Sequence, residues 1–308
     1  MTTLPQPIFI LGPTGCGKSS VAVALAKKLG NAEIVSADAY QVYRELPILT
    51  AAPSAVEMAR VPHHLVACMG VQESNDAATH ARKAQGSIRQ IQQRGCTPIV
   101  TGGSGLYVKF ISHGISPAPP SDAALRAELA ALPMEEAVRR LQAADPEGAA
   151  ATDLQNPRYV VRNLEIVLLG GKPLAYWKNN WVPEQAAGPG FCLVRDTADL
   201  DARIAHRAAA MAEQGVVQEV EQLLAATNGG SSLSHTAART LGLEQVQHYL
   251  LGACSLPEMV AALALATRQY AKRQRTWLRR EKWLSAVPVA PHDSCEAVCE
   301  RIAAACHL

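Results

Sequence analysis

The sequence lacks the features that would place it in a membrane or among secreted, disulfide-bonded proteins. No apolar run reaches the length of a membrane span, and residues 1–7 have neither the basic start nor the apolar stretch of a signal peptide. The eight cysteines include no Cys-x-x-Cys pair, so we expect reduced and mostly buried thiols. We therefore expect a cytoplasmic protein with no membrane partner. Its 308 residues suffice for one large domain, or for one domain that carries an insertion.

Several residues near the end of the chain are of types that bind zinc, namely His292, Cys295, Cys299, Cys306 and His307. Their spacing matches no standard zinc finger. The cysteines instead recur with Val298 and Ile302 at the interval of one helix face, and Ser294 precedes them as a candidate cap. The pattern favours a buried helix face over a zinc site.

A complete phosphate-binding loop, the P-loop, stands near the start of the chain between an apolar run and a helical pattern. Its glycines let backbone N–H groups turn towards one anion, Lys18 adds a positive charge, and Ser19 offers a hydroxyl to Mg²⁺. The loop predicts a phosphorylated ligand but does not say which one. It comprises Gly12, Pro13, Thr14, Gly15, Cys16, Gly17, Lys18 and Ser19.

Apolar runs alternate with helical patterns through much of the chain. This alternation predicts an α/β fold, a P-loop NTPase-like doubly wound parallel sheet. A helical stretch without a convincing strand interrupts it, so we expect a core of residues 1–119 and 190–308 with a helical insertion domain at 120–189. The predicted strands are 8–11, 33–36, 97–101 and 191–194, and the predicted core helices are 19–29, 77–94 and 199–226.

Two further loops follow predicted strands, where parallel sheets bind ligands. Asp38 follows the second strand, and a metal ligand, a general base and a helix cap are all open interpretations of it. After the third strand, Gly102 and Gly103 indicate close approach of backbone to a ligand, and Ser104 offers a hydroxyl at a helix N-terminus. We expect both loops to open towards the P-loop.

Basic residues are concentrated in one segment. Residues 268–282 contain seven basic residues and one acidic residue, a local charge of +6, so the rest of the chain carries −4. We predict a basic helix over residues 268–282, on which Arg268, Lys272, Arg275 and Arg279 form one stripe, which we call the basic stripe. A solvated surface would explain it, but the density of arginine favours contact with a polyanion.

Together these motifs resemble one family along most of the chain, the bacterial tRNA dimethylallyltransferases. The loop Gly-Gly-Ser-Gly-Leu-Tyr and the arginine-rich motif near the end are the specific ones, whereas a P-loop alone would be weak evidence. The matching segments are residues 12–19, 36–38, 41–44, 62–65, 94–107, 156–165, 171–173, 203–207 and 267–279.

The resemblance implies transfer of a dimethylallyl group from dimethylallyl diphosphate to N6 of the adenosine adjacent to the anticodon in tRNA, with Mg²⁺ as cofactor. It implies that the P-loop binds the diphosphate with help from Arg207, that Asp38 is the general base, and that Ser104 contacts the target nucleotide. The insertion is expected to grip the anticodon arm, and the protein to be a monomer. The implied tRNA contacts are Asp38, Ala39, Tyr40, Gln41, Ser104, Arg126, Arg158, Tyr159, Val160, Val161 and Arg162, joined by the basic stripe.

Three other functions are open. A P-loop kinase would use Lys18 and Ser19 but has no evident use for the loop at residues 102–107. A prenyltransferase acting on free adenylate would need neither the insertion nor the basic stripe. A non-catalytic tRNA-binding relative would be indicated by loss of Lys18 or Asp38, and both are present.

The chain departs from the family pattern at several positions. Ala39 stands for a serine, Ala52 for a lysine, and Leu243 for an aromatic residue, while Asn75 and Asp76 replace a Tyr-Ser pair. The departures concern tRNA contacts and loop order, because the residues of the expected reaction centre are all present.

Overall fold

The computed structural model describes residues 4–181 and 187–307. Contacts between Cα atoms divide the chain into a core unit, Met1–Gly114 with Gln185–Leu308, and an insertion unit, Ile115–Glu184. The insertion predicted at residues 120–189 covers nearly the same part of the chain. In the described part of the chain, no helix is long and apolar enough to cross a membrane.

The described residues of the core unit form a six-stranded parallel sheet with the order β3-β2-β4-β1-β5-β6. Its inner strands are apolar and buried, as in parallel sheets that helices cover on both faces. The predicted α/β class and the four predicted strands are thereby confirmed. The strands are β1 (Ile8–Leu11), β2 (Ala32–Ala37), β3 (His63–His64), β4 (Thr97–Gly102), β5 (Gly190–Arg195) and β6 (Leu284–Val289).

The two strands without a sequence prediction are the edges of the sheet. β3 has only two residues, both histidines, so it carries no apolar run. β6 contains Pro288, which cannot donate a backbone hydrogen bond and is tolerated at a sheet edge. Both strands depend on pairing with a neighbour, which a local pattern does not reveal.

The predicted helices at residues 19–29 and 77–94 are confirmed, and two other predicted helices differ from the structure. The single helix predicted at 199–226 is wrong, because Gly215, with φ of 97°, separates α10 from α11. The core helices are α1 (Lys18–Leu29), α2 (Ala55–Arg60), α3 (Ala77–Gln93), α4 (Gly105–His113), α10 (Thr197–Glu213), α11 (Val216–Ala226), α12 (Leu243–Leu250), α13 (Leu256–Leu278) and α14 (Cys295–Ala305). The insertion helices are α5 (Ala123–Ala130), α6 (Met134–Ala144), α7 (Pro146–Ala150), α8 (Pro157–Gly170) and α9 (Leu174–Asn180).

The second difference concerns the basic segment. α13 ends at Leu278, so Arg279 is its C-terminal cap, and the prediction of a helix that continues to Lys282 is wrong. The stripe itself is present: Lys272 and Arg279 are exposed, whereas Ala271 and Leu278 on the other side are buried. After the cap the chain leads into β6.

The cysteine-rich segment is a helix, as predicted. The Ser294 hydroxyl accepts a hydrogen bond from the Ala297 N–H at 3.1 Å and so caps α14. Val298, Cys299 and Ile302 are buried in the core of the unit. Among the described residues, no group of three or more His, Cys, Asp or Glu side chains is arranged to hold a metal ion.

Glycines let three strand ends meet at the carboxyl edge of the sheet. A Cβ atom on Gly102 would lie 2.4 Å from the Ala37 carbonyl oxygen, and one on Gly103 would lie 2.5 Å from the Gly12 carbonyl oxygen. The Gly12 N–H also donates to the Gly102 carbonyl at 3.2 Å. The P-loop, the Asp38 turn and the Ser104 loop are therefore adjacent, as expected from sequence.

This close contact predicts the effect of Gly102→Ala. The added methyl group would meet backbone atoms that cannot rotate away, so we expect the free energy of unfolding to fall by about 1–3 kcal/mol. Gly86→Ala is the matched control, since a Cβ there meets nothing within 4 Å and lies in the interior of α3. That variant should gain about 0.5–1 kcal/mol. Urea unfolding measures both, and equal stability of the two variants would contradict the packing described here.

Candidate active site

The P-loop turns between β1 and α1 with two residues in the left-handed region. Gly15 has a φ of 85° and Gly17 a φ of 95°, which glycine adopts without strain. The Cys16 side chain is fully buried beneath the loop. Lys18 and Ser19 begin α1 with half-buried side chains, at the positive end of the helix. This is the geometry of an anion cradle.

Three arginines hold the P-loop. Arg195 Nε donates to the Cys16 carbonyl at 2.9 Å, and Arg203 Nε donates to the carbonyl of the preceding residue at 3.0 Å. Arg207 Nη2 donates to the Thr14 hydroxyl at 2.5 Å. Since Arg195 and Arg203 occupy loop carbonyls, the loop can present N–H groups to a ligand.

Arg195 and Arg207 carry their charge in different surroundings. Arg195 is buried and pairs with the Asp199 carboxylate at 2.6 Å, so its charge is balanced within the protein. Burial lowers the pKa of Arg207, and the nearby Asp38 carboxylate opposes only part of that shift. A guanidinium remains protonated at neutral pH. Arg207 therefore brings a positive charge to the P-loop that a ligand can neutralise.

Gln274 of α13 also holds the P-loop. Its Oε1 accepts a hydrogen bond from the Thr14 N–H at 2.7 Å, although the residue is only 4% exposed. Its Nε2 has no hydrogen-bond partner among the described residues. A Cβ on Gly103 would lie 2.6 Å from that nitrogen. Gln274 thus packs between the two glycine-containing loops.

Of these supporting residues only Arg207 was predicted from sequence, whereas Arg195, Arg203 and Gln274 were not. Arg203 had a signal, because it precedes Arg207 by one helical turn in the segment that resembles the family. Arg195 and Gln274 had none, since a single arginine after a strand and a glutamine in a basic helix are common surface features.

Asp38 holds a tight turn with one carboxylate oxygen. Its Oδ1 accepts hydrogen bonds from the N–H groups of Tyr40 at 3.0 Å and Gln41 at 3.4 Å. Such a bond from an aspartate to the residues that follow stabilises the turn locally. Because both bonds use Oδ1, the other oxygen is available to a ligand as far as the described residues are concerned.

Ser104 connects this turn to α4 and α13. Its Oγ accepts a hydrogen bond from the Ala39 N–H at 3.2 Å and bonds to the Tyr270 hydroxyl at 3.1 Å. Burial raises the pKa of Tyr270, and the Asp38 charge raises it further, so the phenol stays protonated. Ser104 makes no side-chain bond to the start of α4, although it is the N-cap residue.

One pocket in the core unit is lined by residues of the P-loop, the Asp38 turn, α10 and α13. It brings the charged groups Asp38 and Arg207 beside the apolar side chains of Leu49, Met211 and Leu263. Such a lining suits a small ligand with an anionic end and an apolar tail. The residues that line it are Thr14, Asp38, Tyr40, Leu49, Thr50, Ala51, Arg207, Met211, Thr240, Leu241, Leu263, Thr267 and Tyr270.

In the insertion unit, two predicted tRNA contacts share one buried carboxylate. Glu165 has no exposed surface and accepts hydrogen bonds from Arg126 at 2.5 Å and from Arg162 at 2.7 Å. Arg162 also donates to the Pro119 carbonyl at 2.7 Å. Burial raises the pKa of Glu165, but the hydrogen bonds from both arginines outweigh it, so the net shift is downward. Two partly exposed guanidinium groups are therefore held in fixed positions.

The residues at the start of α8 differ in their exposure. Arg158 and Tyr159 are exposed, whereas Val161 is half-buried. Val160 is fully buried and packs with Leu164 in the core of the insertion unit. The prediction that the Val160 side chain contacts tRNA is therefore wrong, because helical periodicity turns this position inward.

The departures from the family pattern near the site have structural roles. Asp76 caps α3, accepting a hydrogen bond from the Thr79 N–H at 2.8 Å. Leu243 is buried in the core. Asn75 is also fully buried and donates from Nδ2 to the Ala39 carbonyl at 3.1 Å. Asn75 and Leu243 therefore lie in the interior, whereas Asp76 lies at the surface and acts on the start of α3.

Comparison with known proteins gives consistent results. The IPP transferase family matches residues 41–281. A tRNA dimethylallyltransferase of Akkermansia muciniphila is 56% identical over 295 residues, which cover 96% of this chain and 97% of that protein. A tRNA dimethylallyltransferase of Halorhodospira halophila is 43% identical, covering 88% of this chain and 89% of that protein.

Solved structures show the same fold. A tRNA isopentenylpyrophosphate transferase of Bacillus halodurans superposes with a TM-score of 0.71 at 31% identity, over 98% of this chain and 96% of that one. A eukaryotic dimethylallyltransferase acting on tRNA superposes with a TM-score of 0.79 over 93% of this chain and 74% of that one, where 23% identity supports the fold alone. With the P-loop, the Asp38 turn and the matched segment in agreement, this chain belongs to the IPP transferase family.

Proposed function

We propose that this protein transfers a dimethylallyl group from dimethylallyl diphosphate to N6 of the adenosine adjacent to the anticodon in tRNA. The pocket is the observation that carries the proposal, because it joins the P-loop, a carboxylate and apolar walls. An allylic diphosphate has an anionic end for Thr14 and Arg207 and an apolar tail for Leu49 and Leu263. Relatives named tRNA dimethylallyltransferase support the same reaction.

The residues of the pocket and of the adjoining P-loop have distinct tasks in this reaction. The adenosine N6 attacks the allylic C1, the bond from C1 to the diphosphate oxygen breaks, and the diphosphate leaves with the electron pair. Asp38 accepts the proton that N6 loses. Lys18, Arg207 and the loop N–H groups stabilise the charge that gathers on the leaving diphosphate, so they bind the transition state more tightly than the substrate.

Mg²⁺ is proposed as cofactor on the chemistry of the donors. Ser19 supplies one hydroxyl at the start of α1, and the described residues contain no acidic cluster that would bind the ion alone. Mg²⁺ suits such a site, because it keeps several waters and takes phosphate oxygens as ligands. When bound, it would add positive charge at the leaving diphosphate.

We assign tRNA binding to both units, each by its own basic groups. In the core unit these are the residues of the basic stripe, where Arg275 is anchored by a hydrogen bond to the Thr197 hydroxyl at 2.8 Å. In the insertion unit they are Arg126, Arg158 and Arg162. A monomeric state and a cytoplasmic location stay predictions.

Radiolabelled dimethylallyl diphosphate tests the reaction directly. Purified protein should transfer label to unmodified tRNA in the presence of Mg²⁺ and should not transfer it to AMP. Label on AMP would favour the prenyltransferase that acts on free adenylate. Absence of transfer together with ATP-dependent phosphorylation would favour the kinase.

Lys18→Ala should weaken binding of dimethylallyl diphosphate without unfolding the protein. The variant removes a charge-assisted contact of about 1.5–3 kcal/mol, so affinity measured by calorimetry should fall about tenfold to a hundredfold. Lys27→Ala is the control, since Lys27 is exposed in the last turn of the same helix. Equal affinity of the two variants would remove Lys18 from the binding site.

Asp38→Asn should slow the chemical step. The amide keeps the shape of the side chain but cannot accept the proton, so the single-turnover rate should fall by roughly 10²–10⁴. The affinity for tRNA should change little, because the charge removed is not a phosphate contact. A variant that turns over at the normal rate would reduce Asp38 to a residue that shapes its turn.

Removing two residues of the basic stripe should flatten the salt dependence of tRNA binding. Each phosphate contact contributes a slope of about −0.7 to −0.9 in log K against log salt. The double variant with Lys272→Ala and Arg279→Ala should therefore flatten the slope by nearly the contribution of two contacts. It should also weaken the binding of all tRNA substrates alike. Lys27→Ala with Arg89→Ala removes the same charge from other exposed positions. Equal slopes in the two double variants would show that the stripe is only solvated.

A further inference from the structure

Beside the pocket lies a buried polar pair, Asn75 and His80, to which the reaction above gives no task. Neither side chain has any exposed surface, and Asn75 Oδ1 lies 3.3 Å from His80 Nδ1. Asn75 comes just before α3, and His80 lies in its first turn. Since buried polar groups destabilise a fold unless they are hydrogen-bonded, the partners of this pair define its role.

Both side chains donate to the segment that carries Asp38. Asn75 Nδ2 donates to the Ala39 carbonyl at 3.1 Å, and His80 Nε2 donates to the Ser36 carbonyl at 2.8 Å. One accepting carbonyl belongs to the residue after Asp38, and the other lies two residues before it. The pair therefore holds the backbone on both sides of the carboxylate.

Asn75 is itself held in place. Its N–H donates to Thr236 Oγ1 at 2.9 Å, and its carbonyl accepts a hydrogen bond from the Tyr107 hydroxyl. Thr236 Oγ1 also hydrogen-bonds to the Tyr43 hydroxyl at 2.7 Å. A side chain fixed at its backbone in this way transmits its position to the carbonyl that it binds.

His80 acts on the backbone and not on the proton of the reaction. Burial lowers the pKa of His80, so the ring is neutral at neutral pH, and its Nε2–H serves the Ser36 carbonyl. The Asp38 carboxylate raises the pKa of His80 but does not outweigh burial. The Asp38 charge therefore acts on the ring, but the ring donates its one N–H to the Ser36 carbonyl and not to the carboxylate.

We propose that Asn75 and His80 are positioning residues for Asp38. They fix the carbonyls of Ser36 and Ala39, and thereby the turn in which Asp38 Oδ1 is engaged and the other oxygen is available. Asn75 is one of the positions at which the chain departs from the family pattern. The inference rests on the proposed role of Asp38 as general base.

A double-mutant cycle tests the proposal. Asn75→Leu and His80→Phe each replace the donating side chain with an apolar side chain of similar size. Each should lower the single-turnover rate by about tenfold to a hundredfold, because the carboxylate is displaced by a fraction of an ångström. The affinity for dimethylallyl diphosphate should stay within about twofold, since the P-loop is untouched. In the Asp38→Asn background neither variant should slow the reaction further, because the group that they position is gone.

Thr227→Val is the matched control. It removes a buried hydroxyl that donates to the Leu223 carbonyl at the end of α11, so it loses a comparable hydrogen bond without touching the Asp38 turn. Its single-turnover rate should equal that of the parent protein. Far-UV circular dichroism and thermal unfolding establish that each variant is folded.

The outcomes separate this inference from the proposed function. A full loss of rate in Asp38→Asn, with Asn75→Leu and His80→Phe as fast as the control, overturns the positioning role and leaves the base intact. Slowing by the same factor with and without Asp38 also overturns it. An Asp38→Asn variant of normal rate overturns the base instead. If neither Asn75→Leu nor His80→Phe folds, the pair is structural and the proposal fails.

Discussion

The contact between backbone segments at the ends of β1, β2 and β4 is the constraint on which the site depends. Parallel strands deliver their carboxyl ends to one edge of a sheet, but side chains normally keep the following loops apart. Gly102 and Gly103 remove that spacing, and Gly12 closes it with a hydrogen bond. A phosphate cradle and a carboxylate can then border the same small pocket. Any larger residue at these positions would move the P-loop and the Asp38 carboxylate apart.

Arginines around the P-loop bind its carbonyl groups, so that N–H groups of the loop are left for a ligand. Arg195 and Arg203 take loop carbonyls, which would otherwise repel an anion, and Gln274 takes one loop N–H. What remains is an electropositive surface that would need little rearrangement to bind the proposed diphosphate. Preorganised charge of this kind is the main source of electrostatic stabilisation in enzymes. Arg207 differs from the other arginines because its charge has the Thr14 hydroxyl, and not a carbonyl, as its neighbour.

The sequence allowed much of the fold to be predicted, because buried parallel strands and amphipathic helices carry strong local patterns. The P-loop and Asp38 were predictable for the same reason, as each follows an apolar run. What remained hidden depends on distant partners. The strand that contains Pro288 exists through pairing at the sheet edge, and Gly215 ends a helix that the apolar pattern alone would continue. Gln274 reaches the P-loop across 260 positions of sequence, which no local pattern encodes.

The carboxylate of Glu165 affects how tightly the insertion unit would bind tRNA in the proposed complex. Long basic side chains lose rotational freedom when they settle on a phosphate, and that entropy opposes binding. Arg126 and Arg162 have already lost it, because Glu165 holds both guanidinium groups in the folded protein. The shared carboxylate also cancels one of the two positive charges. In the proposed complex with tRNA, recognition by these two arginines would therefore depend on shape more than on charge. RNA that presents its backbone at a different angle would gain little from them.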